Sequence, residues 1–318
     1  AYQFRENASR VIVGQDRVAQ ILEDRIVQYL DSFATGQRGL HALHLLGLPG
    51  IGKSALLEQL SQLGIKLVRV DAQRFTGLGT NDAINSFIDM MDAALKQQAE
   101  TNAPLVLVVE ELDKIPEITP SSANGPETTQ PFIGILNEAL TDGRISTGRR
   151  WGTPVLDLSR TLIVSSMNLS PQFLDDFVKE RFGVDKDFYG MTIEDLASFH
   201  EWVSQNESAR YRILSRLFRT NTVGRIAPNA ELLEPLGYDE YRAIIRRLIE
   251  QGLRTPTSTG ALARRVEFEF SDSLVEFFLA RTVFAPSGAR ETVLRTGTLI
   301  EQLKGMGSRV QIGSMNSM

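Results

Sequence analysis

The sequence has 318 residues, of which 42% are hydrophobic, with a net charge of −5 and a pI near 5.4. This length allows one large or two moderate domains, and the acidic balance excludes a chain-wide basic field for nucleic acid or acidic lipid. Zero cysteines exclude a disulfide framework, and with three histidines no zinc centre is expected. No apolar run reaches membrane-span length and the first residues lack a signal-peptide layout, so we expect a cytoplasmic protein without a membrane partner.

A helix and then a buried strand are the first predicted elements. Apolar residues recur at helical spacing from Asp16 to about Phe33, which predicts an amphipathic helix. The apolar run that begins at Leu40 predicts a buried strand, and it leads directly into GLPGIGKS, from Gly47 to Ser54. This sequence matches the P-loop pattern GxxxxGKS and is followed by a helical pattern, the context in which the motif binds phosphate.

The residue types of this loop suit phosphate binding. Gly47, Gly50 and Gly52 allow the backbone to curl, so that N–H groups point at phosphate oxygens. Lys53 is expected to neutralise the outer phosphates, and Ser54 is expected to bind Mg²⁺. The predicted nucleotide-binding set also contains Pro49, Ile51 and Leu56.

Two further strands follow along the chain. Gly64 is expected to end the P-loop helix, and the alternating segment from Lys66 to Asp71 predicts the second strand. After a loop at 76–80, periodic apolar residues from Ile84 to Leu95 predict a helix. The unbroken apolar run from Pro104 to Val109 then predicts a parallel strand that is covered on both faces.

Carboxylates follow that strand at once, at Glu110, Glu111 and Asp113. Open α/β sheets bind ligands at the carboxyl ends of their strands, so this is the expected acidic half of a nucleotide site. We predict that Glu110 holds Mg²⁺, directly or through water. Glu111 is predicted to polarise the attacking water as general base.

The next segment combines a loop, a short helix and a hairpin. Residues 116–131 lack periodicity and predict a loop, and a helix is predicted from Phe132 to Leu140. Glycines between short runs from Arg144 to Leu158 indicate a hairpin. The basic and aromatic residues at its tip suit either a nucleic-acid contact or a solvated turn, and the acidic chain favours the turn. These tip residues are Arg149, Arg150 and Trp151.

The remaining pattern separates a large part from a small one. The buried run from Thr161 predicts a strand that ends at Ser166 and Asn168, on the same sheet edge as the carboxylates. Residues 173–218 are predicted to be mostly helical, with a one-sided arginine stripe that is interpreted as a solvent face. That stripe comprises Arg212, Arg216 and Arg219. A short irregular segment bracketed by Pro228 and Pro235 marks the predicted domain boundary.

Residues 229–318 are predicted to form a small, mostly helical lid. Its predicted elements are helices at 238–250, 271–283 and from 289, a strand at 266–270 and a further short strand at 309–312. The fold class that follows is α/β: a P-loop αβα sandwich with a parallel sheet at 1–228, followed by the lid at 229–318.

With these motifs in place, the chain resembles the AAA+ ATPases of the Clp/HslU branch over nearly its whole length. The segment Val11–Asp16 is similar to the family's Ile-Gly-Gln box, which implies that Val13 and Gly14 lie against adenine. Asn168 stands at the sensor-1 position. Residues 218–226 resemble the arginine-finger segment, with Arg225 as the finger. Gly288-Ala289-Arg290 resembles the sensor-2 triplet, which implies that Arg290 reaches the γ-phosphate.

The resemblance implies ATP and Mg²⁺ as ligands and a catalytic set of Glu111, Asn168, Arg225 and Arg290. A finger that acts on a neighbouring subunit implies a ring or helical homo-oligomer, expected to be a hexamer. Three positions depart from the family pattern: Glu110 replaces Asp, Leu78 replaces the pore-loop aromatic residue, and Glu291 replaces Pro. The resemblance therefore does not extend to threading of polypeptide.

Three functional hypotheses follow. The first is a Clp-like, ATP-driven remodeller or unfoldase with a protein client. The second is an AAA+ ATPase that acts on nucleic acid or within a transport or mobile-element machine. The third is a slowly hydrolysing assembly scaffold, which Glu110 makes conceivable.

Overall fold

The computed structural model describes residues 4–76, 80–115, 131–146, 155–169, 171–183, 187–254, 272–283 and 288–307. Several predictions fall outside these residues: the loop at 116–130, Leu78, the hairpin tip with Arg149, Arg150 and Trp151, and the strands at 266–270 and 309–312. In the described part of the chain, no helix combines the length and the apolar composition needed to cross a bilayer.

The α-helices and strands have the following bounds. The helices are α1 Phe4–Val11, α2 Asp16–Ala34, α3 Lys53–Glu58, α4 Thr80–Thr101, α5 Pro131–Asp142, α6 Pro171–Phe182, α7 Ile193–Gln205, α8 Glu207–Leu214, α9 Thr220–Ile226, α10 Tyr238–Arg254, α11 Asp272–Thr282 and α12 Ala289–Gly307. The strands are β1 His41–Gly47, β2 Lys66–Asp71, β3 Leu105–Glu110, β4 Arg144–Ile145, β5 Leu156–Asp157, β6 Thr161–Asn168 and β7 Ala230–Leu232.

A five-stranded parallel sheet in the order β2-β3-β6-β1-β7 forms the centre of the fold. Its register aligns Gly47 of β1 with Asn168 of β6, and Asp71 of β2 with Glu110 of β3. The P-loop, the acidic turn and Asn168 therefore meet at one sheet edge. The predicted fold class of a parallel sheet with flanking helices and a helical lid is confirmed.

The apolar runs form strands because helices cover both faces of the sheet. The five residues Leu105–Val109 of β3 are at most 1% exposed, as a doubly covered parallel strand requires. Tyr29 of α2 ties its helix to this strand, since its hydroxyl accepts from the N–H of Leu105 at 2.7 Å and lies 2.9 Å from that residue's carbonyl oxygen. Helix α2 is thus fastened to the start of a central strand of the sheet.

Two local predictions were wrong. The segment between Pro228 and Pro235 was predicted to be irregular, yet Ala230–Leu232 forms β7 and pairs in parallel with β1. A three-residue strand is too short to show a period-2 pattern, which explains the miss. The P-loop helix was predicted to continue to Gly64, but α3 ends at Glu58 and a 3₁₀ helix follows at Gln59–Leu63.

The hairpin and the lid agree with their predictions over the described residues. Strands β4 and β5 pair antiparallel. Helices α10, α11 and α12 surround a small apolar core formed by Ile245, Ile249, Val275, Phe278 and Ile300. Because β7 belongs to the main sheet, we propose that the boundary between the two parts lies after Leu232 rather than at residue 228.

Candidate nucleotide-binding site

The P-loop turns on glycines in the left-handed region of backbone space. Gly50 has φ +75° and Gly52 has φ +102°, conformations that strain any residue with a Cβ atom. Gly47 lies so close to the Ile51 side chain that an added Cβ would clash with it. Buried Ile51 and Leu56 hold the loop and the first turn of α3 in the core. The sequence thus forms a tight loop whose shape is set by packing.

Lys53 is buried within this loop, with 7% of its surface exposed. Its ammonium group donates to the carbonyl oxygens of Gly47 at 2.8 Å and Leu48 at 2.7 Å. Burial lowers the pKa of Lys53 to about 7, while the carboxylates of Asp113 and Glu111 act in the opposite direction. A phosphate would offer this amine a stronger, charge-assisted partner than the two neutral carbonyls. Ser54, the predicted magnesium ligand, is exposed beside it.

Glu110 ends β3 and is held by an arginine from the neighbouring strand. Arg69 of β2 donates from Nε at 3.1 Å and from Nη2 at 2.6 Å, both to Oε1 of Glu110. The ion pair is partly shielded, since the side chains are 36% and 21% exposed. The carboxylate predicted to bind magnesium therefore already has a cationic partner.

Glu111 adopts a backbone conformation that is uncommon outside glycine, with φ +56°. Its N–H donates to the hydroxyl of Ser166 at 3.3 Å, and its carboxylate accepts from the side-chain amide of Gln73 at 2.5 Å. Such a conformation costs about 1 kcal/mol and persists where surrounding contacts impose it. The predicted general base is thus fixed from both its backbone and its side chain.

Asp113 links the acidic turn to the end of β6. Its carboxylate accepts a hydrogen bond from the backbone N–H of Asn168 at 2.7 Å, and it is only 8% exposed. Burial raises the pKa of Asp113. The structure therefore ties the predicted sensor residue to the turn that carries Glu110 and Glu111.

The lid touches the P-loop directly at the start of α12. The N–H of Ala289 donates to the carbonyl oxygen of Gly50 at 3.0 Å. Gly288 has φ +60°, and an added Cβ there would lie 2.6 Å from the carbonyl oxygen of Pro49. Exposed Arg290 follows this contact immediately.

The predicted adenine segment lies between the P-loop and the lid. An added Cβ on Gly14 would lie 2.6 Å from Cγ of Glu240 in α10, and one on Gly52 would lie 3.0 Å from Cγ2 of Ile12. Val13, which stands between Ile12 and Gly14 in the sequence, is half-buried. Gln15 fastens the segment, donating to the carbonyl oxygen of Glu234 at 2.8 Å. The structure thus brings Ile12 beside the P-loop and Gly14 beside α10, with Val13 between them in sequence.

The arginines of residues 212–225 lie in different surroundings. Arg212 pairs with Glu180 at 3.0 Å and Arg216 with Asp176 at 2.8 Å, so these two join α8 and the turn after it to α6. Half-buried Arg225 lies near the end of α9, and within the described residues its guanidinium has no hydrogen bond or ion pair. The structure therefore does not fasten Arg225 to the P-loop of its own chain.

Comparisons with known proteins agree with this geometry. The family model described as "ATPase family associated with various cellular activities (AAA)" matches residues 43–189. Residues 43–189 form an AAA ATPase domain. The matched range runs from β1 to the 3₁₀ turn at 188–190 and includes the P-loop, Glu110, Glu111 and Asn168. Arg225 and Arg290 lie outside the matched residues 43–189.

Relatives of the AAA domain occur among chaperones. The chain is 23% identical over 299 residues to the chaperone protein ClpB of Lactococcus lactis subsp. cremoris strain MG1363. It is 22% identical over 294 residues to ClpB of L. lactis subsp. lactis strain IL1403. Each match covers 90% of this chain, and the chain spans 29% of the length of each relative.

A solved structure of Hsp104 shares the fold. In a closed-state cryo-EM reconstruction of Hsp104 with ATPγS and FITC casein, the match covers 97% of this chain and 48% of that chain. The TM-score is 0.61 at 15% identity, so this likeness shows the fold alone.

Three contact residues of the AAA domain were not predicted from the sequence: Arg69, Gln73 and Asp113 received no role. The signal for Asp113 was present, as a third carboxylate after the buried strand. Arg69 and Gln73 carried no local signal, because their partners lie 41 and 38 residues away in sequence.

Proposed function

We propose that this protein binds ATP with Mg²⁺, hydrolyses the ATP, and uses the cycle to remodel protein clients within a homo-oligomer. One observation carries the ATP site. Buried Lys53 of the P-loop lies within electrostatic reach of Glu111 and Asp113, the carboxylates that follow β3. A buried cation and two carboxylates at the same sheet edge support phosphoryl transfer to water, with Lys53 for phosphate and Glu111 as the proposed base.

The residues would divide the work by their chemistry. Lys53 and the backbone N–H groups of the P-loop bind and orient the terminal phosphates. Glu111 accepts a proton from the attacking water as the water oxygen bonds to the γ-phosphorus, and Asn168 orients that water. The bond from this phosphorus to the β–γ bridging oxygen breaks at the same time, and ADP leaves. Arg290, which follows the lid contact with Gly50, stabilises charge on the γ-phosphoryl oxygens.

Magnesium fits the oxygen donors of this site. When bound, it would neutralise charge on the phosphate oxygens, and the hydroxyl of Ser54 would hold it. Over the residues that the structure describes, no group of three or more His, Cys, Asp or Glu side chains is placed to hold a metal ion. We therefore propose that nucleotide oxygens and water supply most of its ligands.

Assembly would complete the site. Arg225 lacks an ion pair among the described residues, and a guanidinium supplied by a neighbour stabilises the transferring phosphoryl group. We propose that Arg225 acts on the nucleotide of the adjacent subunit in a ring or helical oligomer, with six subunits expected from the resemblance. The two parts, one ending after β7 and the other containing α10–α12, would then move against each other.

The protein client is supported by the relatives. The ClpB proteins are named chaperones, and the Hsp104 reconstruction contains casein. The chain spans 29% of the length of the ClpB proteins, and we propose that it shares their protein clients. A nucleic-acid partner is not favoured, since the chain is acidic, with a net charge of −5.

The test is ATPase activity measured alone, with unfolded protein and with DNA, alongside sizing in each nucleotide state. We expect turnover, stimulation by unfolded protein and nucleotide-dependent assembly. Stimulation by DNA alone would contradict the protein client. Nucleotide-dependent assembly without turnover would contradict the ATPase and support the scaffold.

A further inference from the structure

Arg69 and Glu110 lie side by side on adjoining parallel strands. In the register of β2 and β3, Arg69 is opposite Val108 and Asp71 is opposite Glu110. Side chains alternate between the faces of a sheet, so Arg69 and Glu110 project from the same face. The register therefore places the guanidinium within reach of the carboxylate at the strand end, and two donated bonds to Oε1 connect them.

This pairing opposes direct metal binding by Glu110. The guanidinium of Arg69 brings a positive charge to the carboxylate of Glu110. Two donors on one oxygen give a charge-assisted contact with defined geometry. Magnesium requires oxygen ligands at about 2.0–2.1 Å in a near-octahedral arrangement. A magnesium ion at Oε1 of Glu110 would therefore have to displace Arg69, and an ion elsewhere on this carboxylate would be repelled by the positive charge of Arg69.

The length of the side chain contributes to the pairing. Glutamate carries its carboxylate one carbon–carbon bond, about 1.5 Å, further from the backbone than aspartate does. The shorter distance from Arg69 to Oε1 is 2.6 Å, so retracting the carboxylate by one bond would break or lengthen the contact. An aspartate at position 110 would thus keep the negative charge, but its ion pair with Arg69 would be weaker.

We propose that Arg69 keeps Glu110 off the magnesium ion of the ATP complex, so that Ser54, the nucleotide and water hold this ion. Arg69 is then a positioning residue that sets how much magnesium the site needs. This inference rests on the proposed ATP site.

Calorimetric titration of the full chain with AMP-PNP at stepped MgCl₂ concentrations tests the inference by giving the half-saturating magnesium concentration. In the chain that keeps Arg69, Glu110→Gln should change that concentration by less than about twofold. Arg69→Gln should lower it about three- to fivefold, because Glu110 becomes available to the ion. The double variant should return to the native value.

Two further variants keep the test decisive. Glu110→Asp should lower the half-saturating magnesium concentration while it keeps the negative charge. This variant provides the test if circular dichroism shows that Arg69→Gln is unfolded. Arg242→Gln removes an exposed lid ion pair with Glu276 and should change nothing.

Two outcomes would overturn the inference in distinguishable ways. If Glu110→Gln raises the magnesium requirement equally with and without Arg69, Arg69 does not shield Glu110, while the ATP site stands. If the native chain binds no AMP-PNP at saturating MgCl₂, the proposed ATP site itself fails and the inference fails with it.

Discussion

The side-chain amide of Gln73 donates a hydrogen bond to the carboxylate of Glu111. Gln73 is itself positioned by Asp71, whose carboxylate accepts the N–H of Gln73 at 2.9 Å. The contact joins the end of β2 to the residue after β3. It occupies one oxygen of the proposed general base.

We expect Gln73→Leu to raise the ATPase rate measured without client about threefold, since one exposed bond to a charged group is lost. The nucleotide Kd should not change. Gln97→Leu, on the exposed face of α4, is the matched control and should leave the rate unaltered. A fall in rate for Gln73→Leu would show that the amide orients Glu111 productively instead.

Glu111→Gln should bind ATP with native affinity but lose about 10²- to 10⁴-fold in turnover, because the amide cannot take the proton from water. ATP-bound assemblies should then accumulate, which sizing in the presence of ATP will detect. The control Glu100→Gln changes an exposed glutamate near the end of α4 and should not change turnover. Normal turnover in Glu111→Gln would disprove its role as base.

Arg225→Ala should lower turnover about 10³-fold or more and keep nucleotide affinity, as expected for an arginine that acts on the transition state. Mixing it with Glu111→Gln subunits should restore part of the activity, because each variant supplies what its neighbour lacks. Arg216→Ala, which breaks only the surface pair with Asp176, is the control. No recovery in any mixture would contradict action between subunits.

Nucleotide affinity should fall as pH rises above about 7, since the pKa of Lys53 lies near 7 and only its protonated form meets phosphate with charge. The expected loss approaches tenfold per pH unit until the pKa of the complex is reached. In the same interval the unfolded chain binds more protons than the folded chain. The contribution of Lys53 should therefore increase the free energy of unfolding as pH rises. Calorimetry from pH 7 to 9 measures the binding effect.

Lys53→Arg is the control for this pH dependence, because its guanidinium does not titrate in this range. Its affinity should stay flat from pH 7 to 9. An equal decline in the native chain and in Lys53→Arg would exclude Lys53 as the titrating group.

Gly288→Ala should separate the lid from the P-loop, since the new Cβ would lie 2.6 Å from the carbonyl oxygen of Pro49 at φ +60°. We expect a loss of about 1–2 kcal/mol in this contact and at least tenfold faster hydrogen exchange at the amide of Ala289. Gly297→Ala, in the middle of α12 with open space around it, should instead stabilise the helix by up to about 1 kcal/mol. Unchanged exchange in Gly288→Ala would refute the close approach.

The sequence by itself determined the parallel sheet strands β1, β2, β3 and β6, the P-loop and the placement of Glu110, Glu111 and Asn168 at strand ends. These features are local: a buried parallel strand is a continuous apolar run, and the left-handed turns at Gly50 and Gly52 require glycine. The roles of these residues in catalysis stay predictions for the experiments above.

Only the tertiary structure decided which partners these residues meet. Strand β7 has three residues and no periodicity, and it exists because the edge of β1 is available to pair with it. The Arg69–Glu110 and Gln73–Glu111 contacts depend on the register of β2 against β3, and the Ala289–Gly50 bond depends on how the lid docks. Register and docking arise from packing between distant segments, and no local pattern encodes them.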